Sequence, residues 1–331
     1  MITAGTLVLT RRDVQHFLSL VDCIEAVEHA FRLHGEGKTL APVMMGIHSS
    51  EGGFHIKAGI LPLARSYFAA KMNANFPNNR QRSNLPTIQG VIVLCDAQNG
   101  RPLAVLDSIE ITASRTAAAT AVAAKYLARN DSRVATICGC GEQGRVQLQA
   151  LAQILKLQGA FAYDIVEERA REFAQESSAK LGIPVQATKD LNHAIEQSDV
   201  CVTCTSSRQG FLNRQHIRPG TFIAAVGADN PEKHELTPEL MASAKIVVDI
   251  LEQCASSGDL HHAIRAGAVS RSDVHAELGE VVAGKKPGRT SQEETIIFDS
   301  TGMALQDVAA AALVYEKAEQ AGFERTLEFA A

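Results

Sequence analysis

Proline is scarce, 10 in 331 residues, neither sign of charge dominates, and no apolar run is long. With 24 Gly, 46% apolar and 21% charged residues, the chain is neither disordered nor collagen-like, and it is long enough to bury one large core or two medium ones. Lys plus Arg number 32 against 37 Asp plus Glu, a formal charge of -5. No basic excess therefore exists to neutralise a phosphate backbone or grip an anionic bilayer, and neither nucleic acid nor a membrane is expected as a partner. The apolar stretches 117–124 and 309–314 fall far short of the roughly 20 residues that cross a bilayer. Seven cysteines, odd in number and scattered, exclude a disulfide scaffold. The opening Met1-Ile2-Thr3-Ala4 has neither the basic nor the apolar region of a secretory signal, so a reducing, cytoplasmic setting is expected.

What is present is patterned. Residues 11–35 read as one helix, since Cys23, Ile24, Val27, Ala30 and Phe31 recur at spacings of three and four, with Asp22 as N-cap and Gly35 as stop. Between 43 and 106 come extended runs, 54–58, 67–73, 87–95 and 102–106, the last two joined by the turn pair Asn99-Gly100. This predicts an antiparallel sheet with a helix on it, followed by a long Ala-rich helix at 111–127. From Arg133 strand and helix alternate: 134–138, 143–157, 160–165, 167–181 and 184–187, then strands at 199–205, 221–226 and 245–249. Such a rhythm means parallel strands with crossover helices. A last strand is expected at 295–298, and the helix 303–320 is expected to return to the first domain.

Gly139-Cys140-Gly141-Glu142-Gln143-Gly144 is a complete G-x-G-x-x-G placed directly after a predicted strand and before an amphipathic helix with Val146, Leu148, Leu151 and Leu155 on its buried side. Gly139 permits the tight turn, Gly141 lets a pyrophosphate approach the backbone, and Gly144 lets helix and strand pack closely. The N–H groups of the following residues, from Glu142 and Gln143 onward, face phosphate without any cation. The next strand reaches Asp164, 20 residues after Gly144, where a carboxylate would accept the adenosine ribose hydroxyls and repel a 2′-phosphate. NAD(H) is therefore expected in preference to NADP(H), although Arg169 and Arg171 stand close by.

Four further stretches, in order and spacing, resemble the ornithine cyclodeaminase and mu-crystallin family: Arg115-Thr116-Ala117-Ala118-Ala119-Thr120, Gly227-Ala228-Asp229-Asn230-Pro231-Glu232-Lys233-His234-Glu235-Leu236, Glu277-Leu278-Gly279-Glu280 and Phe298-Asp299-Ser300-Thr301-Gly302-Met303-Ala304. The similarity covers nearly the whole chain. It implies an α/β protein with a Rossmann dinucleotide-binding domain at 116–303. An α+β substrate and dimerisation domain is built from both chain ends, 1–115 and 304–331. It further implies a homodimer, a nicotinamide coenzyme and a small α-imino or α-amino acid substrate. Members of the family include cyclodeaminases, ketimine reductases and alanine dehydrogenases, which share one hydride step.

Carried over residue by residue, the resemblance makes Lys71, in Phe68-Ala69-Ala70-Lys71-Met72-Asn73, a ligand of the substrate carboxylate, and gives Arg115 the same group to grip. Read near the start of the helix 111–127, Arg115 would add a guanidinium fork to the positive end of a helix. Asp229, in a loop at the carboxyl end of the predicted parallel sheet, is implied as the proton-transfer group, whereas local sequence reads it equally well as a turn aspartate before Pro231. Lys233 and Glu235 would support it. Thr116, Thr205, Ser206, Ser207, Lys233 and Thr301 are implied at the coenzyme, and Gly302 at the substrate.

The chain departs from the family in one respect. An arginine often found in an early strand is missing from Ala41-Pro42-Val43-Met44-Met45-Gly46-Ile47-His48, so the substrate grip must differ. His55 and Lys57 alternate along the next predicted strand, hence share a face, and are the candidate substitutes. Arg80 and Arg82 follow in a polar loop, either solvated or available to a second substrate carboxylate such as that of iminosuccinate. Cys201 and Cys204 point to opposite strand faces and His261-His262 lacks a second ligand cluster, so no metal is expected. Cys138 and Cys140, flanking Gly139 in the dinucleotide turn, are expected to be buried, with oxidant access to Cys140 when no coenzyme is bound as the alternative. The reading is NAD(H)-dependent reduction of a small α-imino acid, a ketimine or an iminosuccinate-like one, to an L-amino acid. Its alternatives are cyclisation of ornithine to proline and ammonia, and a non-catalytic small-molecule binder of the mu-crystallin kind.

Overall fold

The computed structural model describes residues 5–329. The opening tetrapeptide 1–4 and the last two residues, 330–331, both within the expected first domain, lie outside them. By its internal packing the chain divides into two compact units, Met1–Arg115 with Met303–Ala331, and Thr116–Gly302. No helix among the described residues is long and apolar enough to cross a membrane.

In the first unit the strands are β1 (Thr6–Leu9), β2 (Val43–His48), β3 (Gly53–Pro62), β4 (Ser66–Asn75), β5 (Ile88–Asp96) and β6 (Pro102–Asp107). With the short Thr326–Leu327 they form one sheet, in which that strand is followed by β1, β6, β5, β4, β3 and β2. The sheet is antiparallel except where β1 runs parallel to β6. Thus the expected antiparallel sheet is present with two strands that the sequence reading lacked, β1 and the edge strand Thr326–Leu327, and the strand at 296–299 is not the last. Residues 97–101 join β5 to β6, with Gly100 at φ +78 and the Asn99 side chain accepting the Arg101 amide at 3.0 Å.

The predicted 11–35 helix is in fact two, Arg11–Phe17 and Leu20–Gly35. Leu18 and Ser19 are extended, and the cap is Ser19, whose hydroxyl accepts the Asp22 amide at 3.2 Å; Asp22 sits inside the first turn. The Ala-rich helix likewise starts earlier than read, at Ser108, because Asp107 Oδ1 accepts the amides of Ile109 and Glu110 at 3.1 and 3.0 Å. One face of the sheet is covered by the helix Ala304–Gln320, against which the helix Leu20–Gly35 packs, and Tyr67, Ala69, Ile92 and Leu94 are buried on that face.

The second unit holds β7 (Val134–Cys138), β8 (Gly159–Tyr163), β9 (Val185–Ala187), β10 (Val200–Thr203), β11 (Arg208–Leu212), β12 (Phe222–Ala225), β13 (His234–Leu236), β14 (Lys245–Val248), β15 (Val274–Glu277) and β16 (Ile296–Asp299). Eight of them make one parallel sheet in the order β15, β14, β16, β12, β10, β7, β8, β9, while β11 and β13 pair apart from it. Strands β10, β12 and β16 are buried at every position, which is why they read as unbroken apolar runs rather than alternating ones. Edge strand β15, Val-His-Ala-Glu, carries no such run and was not foreseen.

Candidate active site

The glycine loop in the second unit shows why each glycine stands where it does. Gly139 has φ +103, and a Cβ on it would come 2.8 Å from the Cys204 carbonyl. A Cβ on Gly144 would stand 2.2 Å from the Gly139 carbonyl, whereas one on Gly141 would meet nothing within 4 Å. Two of the three glycines thus make room for the chain itself, and Gly141 leaves room for something else. The helix Glu142–Ile154 begins with Gly141 as N-cap, so Glu142 and Gln143 occupy its first turn, at the positive end of the helix.

Asp164 follows β8 directly. Its Oδ2 accepts the Cys140 amide and its Oδ1 the Val166 amide, each at 2.9 Å, so the carboxylate that would meet a ribose also holds the glycine loop in place. Cys140 is buried as expected, 1% exposed, and burial pushes its thiol up to about 12, so the alternative of an oxidant-accessible thiol is not what the structure shows.

Beneath the loops at the carboxyl ends of the strands lies a series of buried carboxylates. Glu235 accepts the Thr205 amide and hydroxyl on Oε1 at 2.6 and 2.7 Å, and the Thr203 hydroxyl and Gly227 amide on Oε2 at 2.8 and 2.9 Å. The Glu235 and Leu236 amides donate in turn to Asp259 Oδ1, at 2.8 and 2.9 Å. The Leu260 amide donates to Asp299 Oδ2 at 2.9 Å. Asp249 Oδ2 receives the Gly302 amide at 2.6 Å and the Ser300 hydroxyl at 2.9 Å. Burial raises Glu235, lifts Asp259 well above the usual carboxylate range and brings Asp299 to about 7. One connected scaffold therefore fixes the backbone at Thr205, Gly227 and Gly302, while Ser207 is held separately by its amide donating to the Thr205 hydroxyl at 3.1 Å. Ser206 is exposed, and Thr301 is buried with its hydroxyl 3.5 Å from Gln253 Oε1.

Asp229 stands on the exposed loop after β12, with Oδ1 2.7 Å from Lys233 Nζ and 3.3 Å from the side-chain nitrogen Nδ2 of Asn230. The Lys233 carbonyl is 2.9 Å from His262 Nε2, and His262 stacks on His234 with ring centroids 4.1 Å apart. The loop bearing Asp229 is thereby pinned at its far end by a histidine stack that no local pattern announces.

In the first unit Lys71 and Arg115 come together on a residue that sequence reasoning missed. Lys71 Nζ lies 2.7 Å and Arg115 Nε 3.1 Å from the same oxygen, Asp307 Oδ1. Arg115 Nη1 donates to Gln306 Oε1 at 2.8 Å, and Lys71 Nζ reaches the Thr112 hydroxyl at 3.3 Å. All four ionic or amide side chains are buried: Lys71 3%, Arg115 5%, Gln306 0% and Asp307 2% exposed. Burial lowers Lys71 to about 7, opposed by the Asp307 charge, and the two cations hold Asp307 below the usual range against its own burial. With the helix starting at Ser108, Arg115 lies two turns in rather than near the start, too far for the helix end to help bind an anion. An acid within the Ala-rich run 304–312 was the available signal for Asp307.

Lys57 of β3 pairs in register with Lys71 of β4, and His55 with Asn73, so both lie on the face that the helix Ala304–Gln320 covers. Met44 is the register neighbour of Lys57 on β2, in the strand that lacks an arginine. Arg80 and Arg82 lie not in a loop but in the short helix Asn79–Ser83; both are exposed, and Arg82 pairs with Glu51. Thr116 follows Arg115 on its helix and opens the second unit. Among the described residues no group of three or more His, Cys, Asp or Glu is arranged to hold a metal.

A family model described as Ornithine cyclodeaminase/mu-crystallin family matches residues 4–322. Among solved structures, an archaeal alanine dehydrogenase dimer with bound NAD superposes with TM-score 0.93 at 39% identity, covering 98% of this chain and 99% of that one. The Delta(1)-pyrroline-2-carboxylate reductase of Thermococcus litoralis, in complex with NADH and L-proline, gives 0.89 at 36% identity, with 96% and 98% covered. The iminosuccinate reductase of Paracoccus denitrificans, in complex with NAD+, gives 0.88 at 34%, again with 96% and 98% covered.

Proposed function

Because the chain belongs to the ornithine cyclodeaminase/mu-crystallin family, we propose that it is an oxidoreductase that uses NAD(H) to reduce the C=N bond of a small α-imino acid, giving an L-amino acid. Alanine dehydrogenase, pyrroline-2-carboxylate reductase and iminosuccinate reductase name reactions at one kind of bond, the carbon–nitrogen bond next to a carboxylate. The single structural observation that carries the reading is the glycine loop, whose Gly141 leaves a gap where a Cβ would stand, at the positive end of the helix Glu142–Ile154.

When bound, the coenzyme supplies the hydride for the imine carbon. Gly139, Gly141, Glu142, Gln143 and Gly144 hold its pyrophosphate, and Asp164 takes the ribose hydroxyls and disfavours a 2′-phosphate, which is the support for NAD(H) over NADP(H). Thr116, Thr205, Ser206, Ser207, Lys233 and Thr301 line its remainder. Lys71 and Arg115 bind the substrate carboxylate, with Lys57, His55 and Gly302 beside the rest of the substrate. Asp229 moves the proton at the substrate nitrogen, and Lys233 sets its charge through the ion pair.

The protein acts as a homodimer in this reading. The uncovered face of the first unit's sheet supports it: Val43, Met45, Met72 and Val91 lie on that face across β2, β4 and β5 and are 65%, 49%, 42% and 39% exposed, an apolar surface that a second copy would cover.

The test follows NADH absorbance with keto acids plus ammonia, iminosuccinate generated from oxaloacetate, pyrroline-2-carboxylate and piperideine-2-carboxylate, and in parallel measures ammonia from ornithine. Imine-dependent loss of NADH is expected. Ammonia from ornithine without net NADH change would make the protein a cyclodeaminase instead, and NADH binding with no turnover of any substrate would make it a binder.

A further inference from the structure

We propose that Asp307 is the positioning residue of the substrate-carboxylate clamp, holding Lys71 and Arg115 side by side on one oxygen. The proposal rests on the reading of Lys71 and Arg115 given above. Asp307 and its neighbour Gln306 both reach Arg115 from the first turn of the helix Ala304–Gln320, Asp307 through Oδ1 at 3.1 Å and Gln306 through Oε1 at 2.8 Å. A carboxylate there gains from the positive end of the helix. Asp307 Oδ2 has no hydrogen-bond partner among the described residues, so the two cations on Oδ1 are what sustain its charge, and its charge is what favours the ammonium of Lys71.

The groups around Lys71 make the dependence one-sided. Lys57 stands directly opposite on β3 and Arg115 faces it from the helix Ser108–Leu127, and both oppose its charge. Cys23, from the helix Leu20–Gly35, shares the surroundings of Arg115 and Asp307, but burial pushes its thiol up to about 12 and it stays neutral. Asp22 on the same helix is already held low by Lys317 and Ser19. Asp307 supplies the opposing charge at contact distance, and even with it burial and the two neighbouring cations bring Lys71 down to about 7. Without that carboxylate an ammonium at position 71 would have lost its contact counter-ion in a site closed to water, and its proton would leave at lower pH.

The experiment compares the unmodified protein with Asp307→Asn and Asp307→Glu. Lys71 Nζ is titrated by 15N NMR on lysine-labelled protein, its resonance assigned by its loss in Lys71→Met. In Asp307→Asn the midpoint should fall by about one pH unit or more. In steady-state kinetics at neutral pH, KM for the imino acid should rise about tenfold or more with kcat changed less, and the alkaline limb of kcat/KM should move to lower pH. Asp307→Glu should bring the midpoint back while leaving KM raised, because charge is restored and spacing is not. A folded Asp307→Asn protein with unaltered NADH affinity, whose Lys71 midpoint and KM are both unchanged, overturns the proposal. If Asp307→Asn does not fold, Asp307→Glu decides: a KM equal to that of the unmodified protein overturns it. If the unmodified protein turns over no imino acid, the function proposed above fails, and the NMR titration still tests Asp307 by itself.

Discussion

Glu235 accepts the amide of Gly227 at 2.9 Å, and a methyl group on Gly227 would stand 2.4 Å from Oε1 of that carboxylate. The pair explains both the glycine and the buried acid: backbone and carboxylate approach so closely that only a residue without Cβ fits. Gly227→Ala must push Glu235 away from Thr203 and Thr205. Glu235→Gln keeps the size but turns one acceptor into a donor facing N–H groups that cannot turn round. Each change should cost on the order of 1–3 kcal/mol, the scale of a buried polar group left unpaired. The check is thermal melting, with an expected fall of about 2–4 °C per kcal/mol for a unit of this size. An unchanged melting temperature in Glu235→Gln would remove the carboxylate from its structural place.

The Asp299 carboxyl gives a pH dependence whose sign follows from burial. An unfolded aspartate titrates near about 3.9, and burial raises the folded group to about 7. Between those values the folded state binds the extra proton, so this group's contribution to stability is full at acid pH and is lost as pH rises through the folded value. Urea denaturation between about pH 5 and pH 8 should show stability falling with rising pH, and Asp299→Asn should flatten that slope while losing an acceptor for the amide of Asp259 or Leu260. Equal slopes in the two proteins would contradict the assignment.

Much of the second unit was legible because its buried strands are short apolar runs and its glycine loop has an unmistakable context, strand before and helix after. The first unit was harder. β1 and Thr326–Leu327 are short strands of four and two residues whose pairing is set by partners far away in sequence, and no local pattern announces them. The helix beginning at Ser108 was placed three residues late because Asp107 ends a strand and caps a helix at once. Asp307 was passed over because an acid within an Ala-rich helix reads as a solvated position, and only the fold brings Lys71, 236 residues away, to meet it.

Two glycines of one motif should behave oppositely when given a methyl group. Gly144→Ala runs into the Gly139 carbonyl at 2.2 Å and should lower the melting temperature of the free protein. Gly141→Ala meets nothing within 4 Å, so the free protein should melt unchanged, while its NADH affinity, read by fluorescence titration, should weaken about tenfold or more as the methyl group enters the phosphate space. Tight NADH binding by Gly141→Ala would show that the pyrophosphate lies elsewhere.

Asp164→Ala tests coenzyme choice. Its loss removes the proposed ribose acceptor and also frees the Cys140 amide, so NADH should lose kcat/KM more than NADPH does. The decisive comparison is the ratio of the two coenzymes before and after the change. A protein that already prefers NADPH in its unmodified form would refute the role given to Asp164.

Asp229 and Lys233 offer the sharpest test of the chemistry. Their 2.7 Å ion pair is partly exposed, so its worth to stability is small and substitutions there should leave the fold intact. If Asp229 handles the proton on the substrate nitrogen, Asp229→Ala should keep NADH affinity and cut kcat by about a hundredfold or more, the scale of general acid–base catalysis. Lys233→Met should do something different: it removes the ion-pair partner and leaves the carboxylate in place, so kcat should fall far less than in Asp229→Ala. A rate untouched in Asp229→Ala would return this residue to the turn before Pro231, and the proton would then have to be sought at another group, with Lys71 the first to examine.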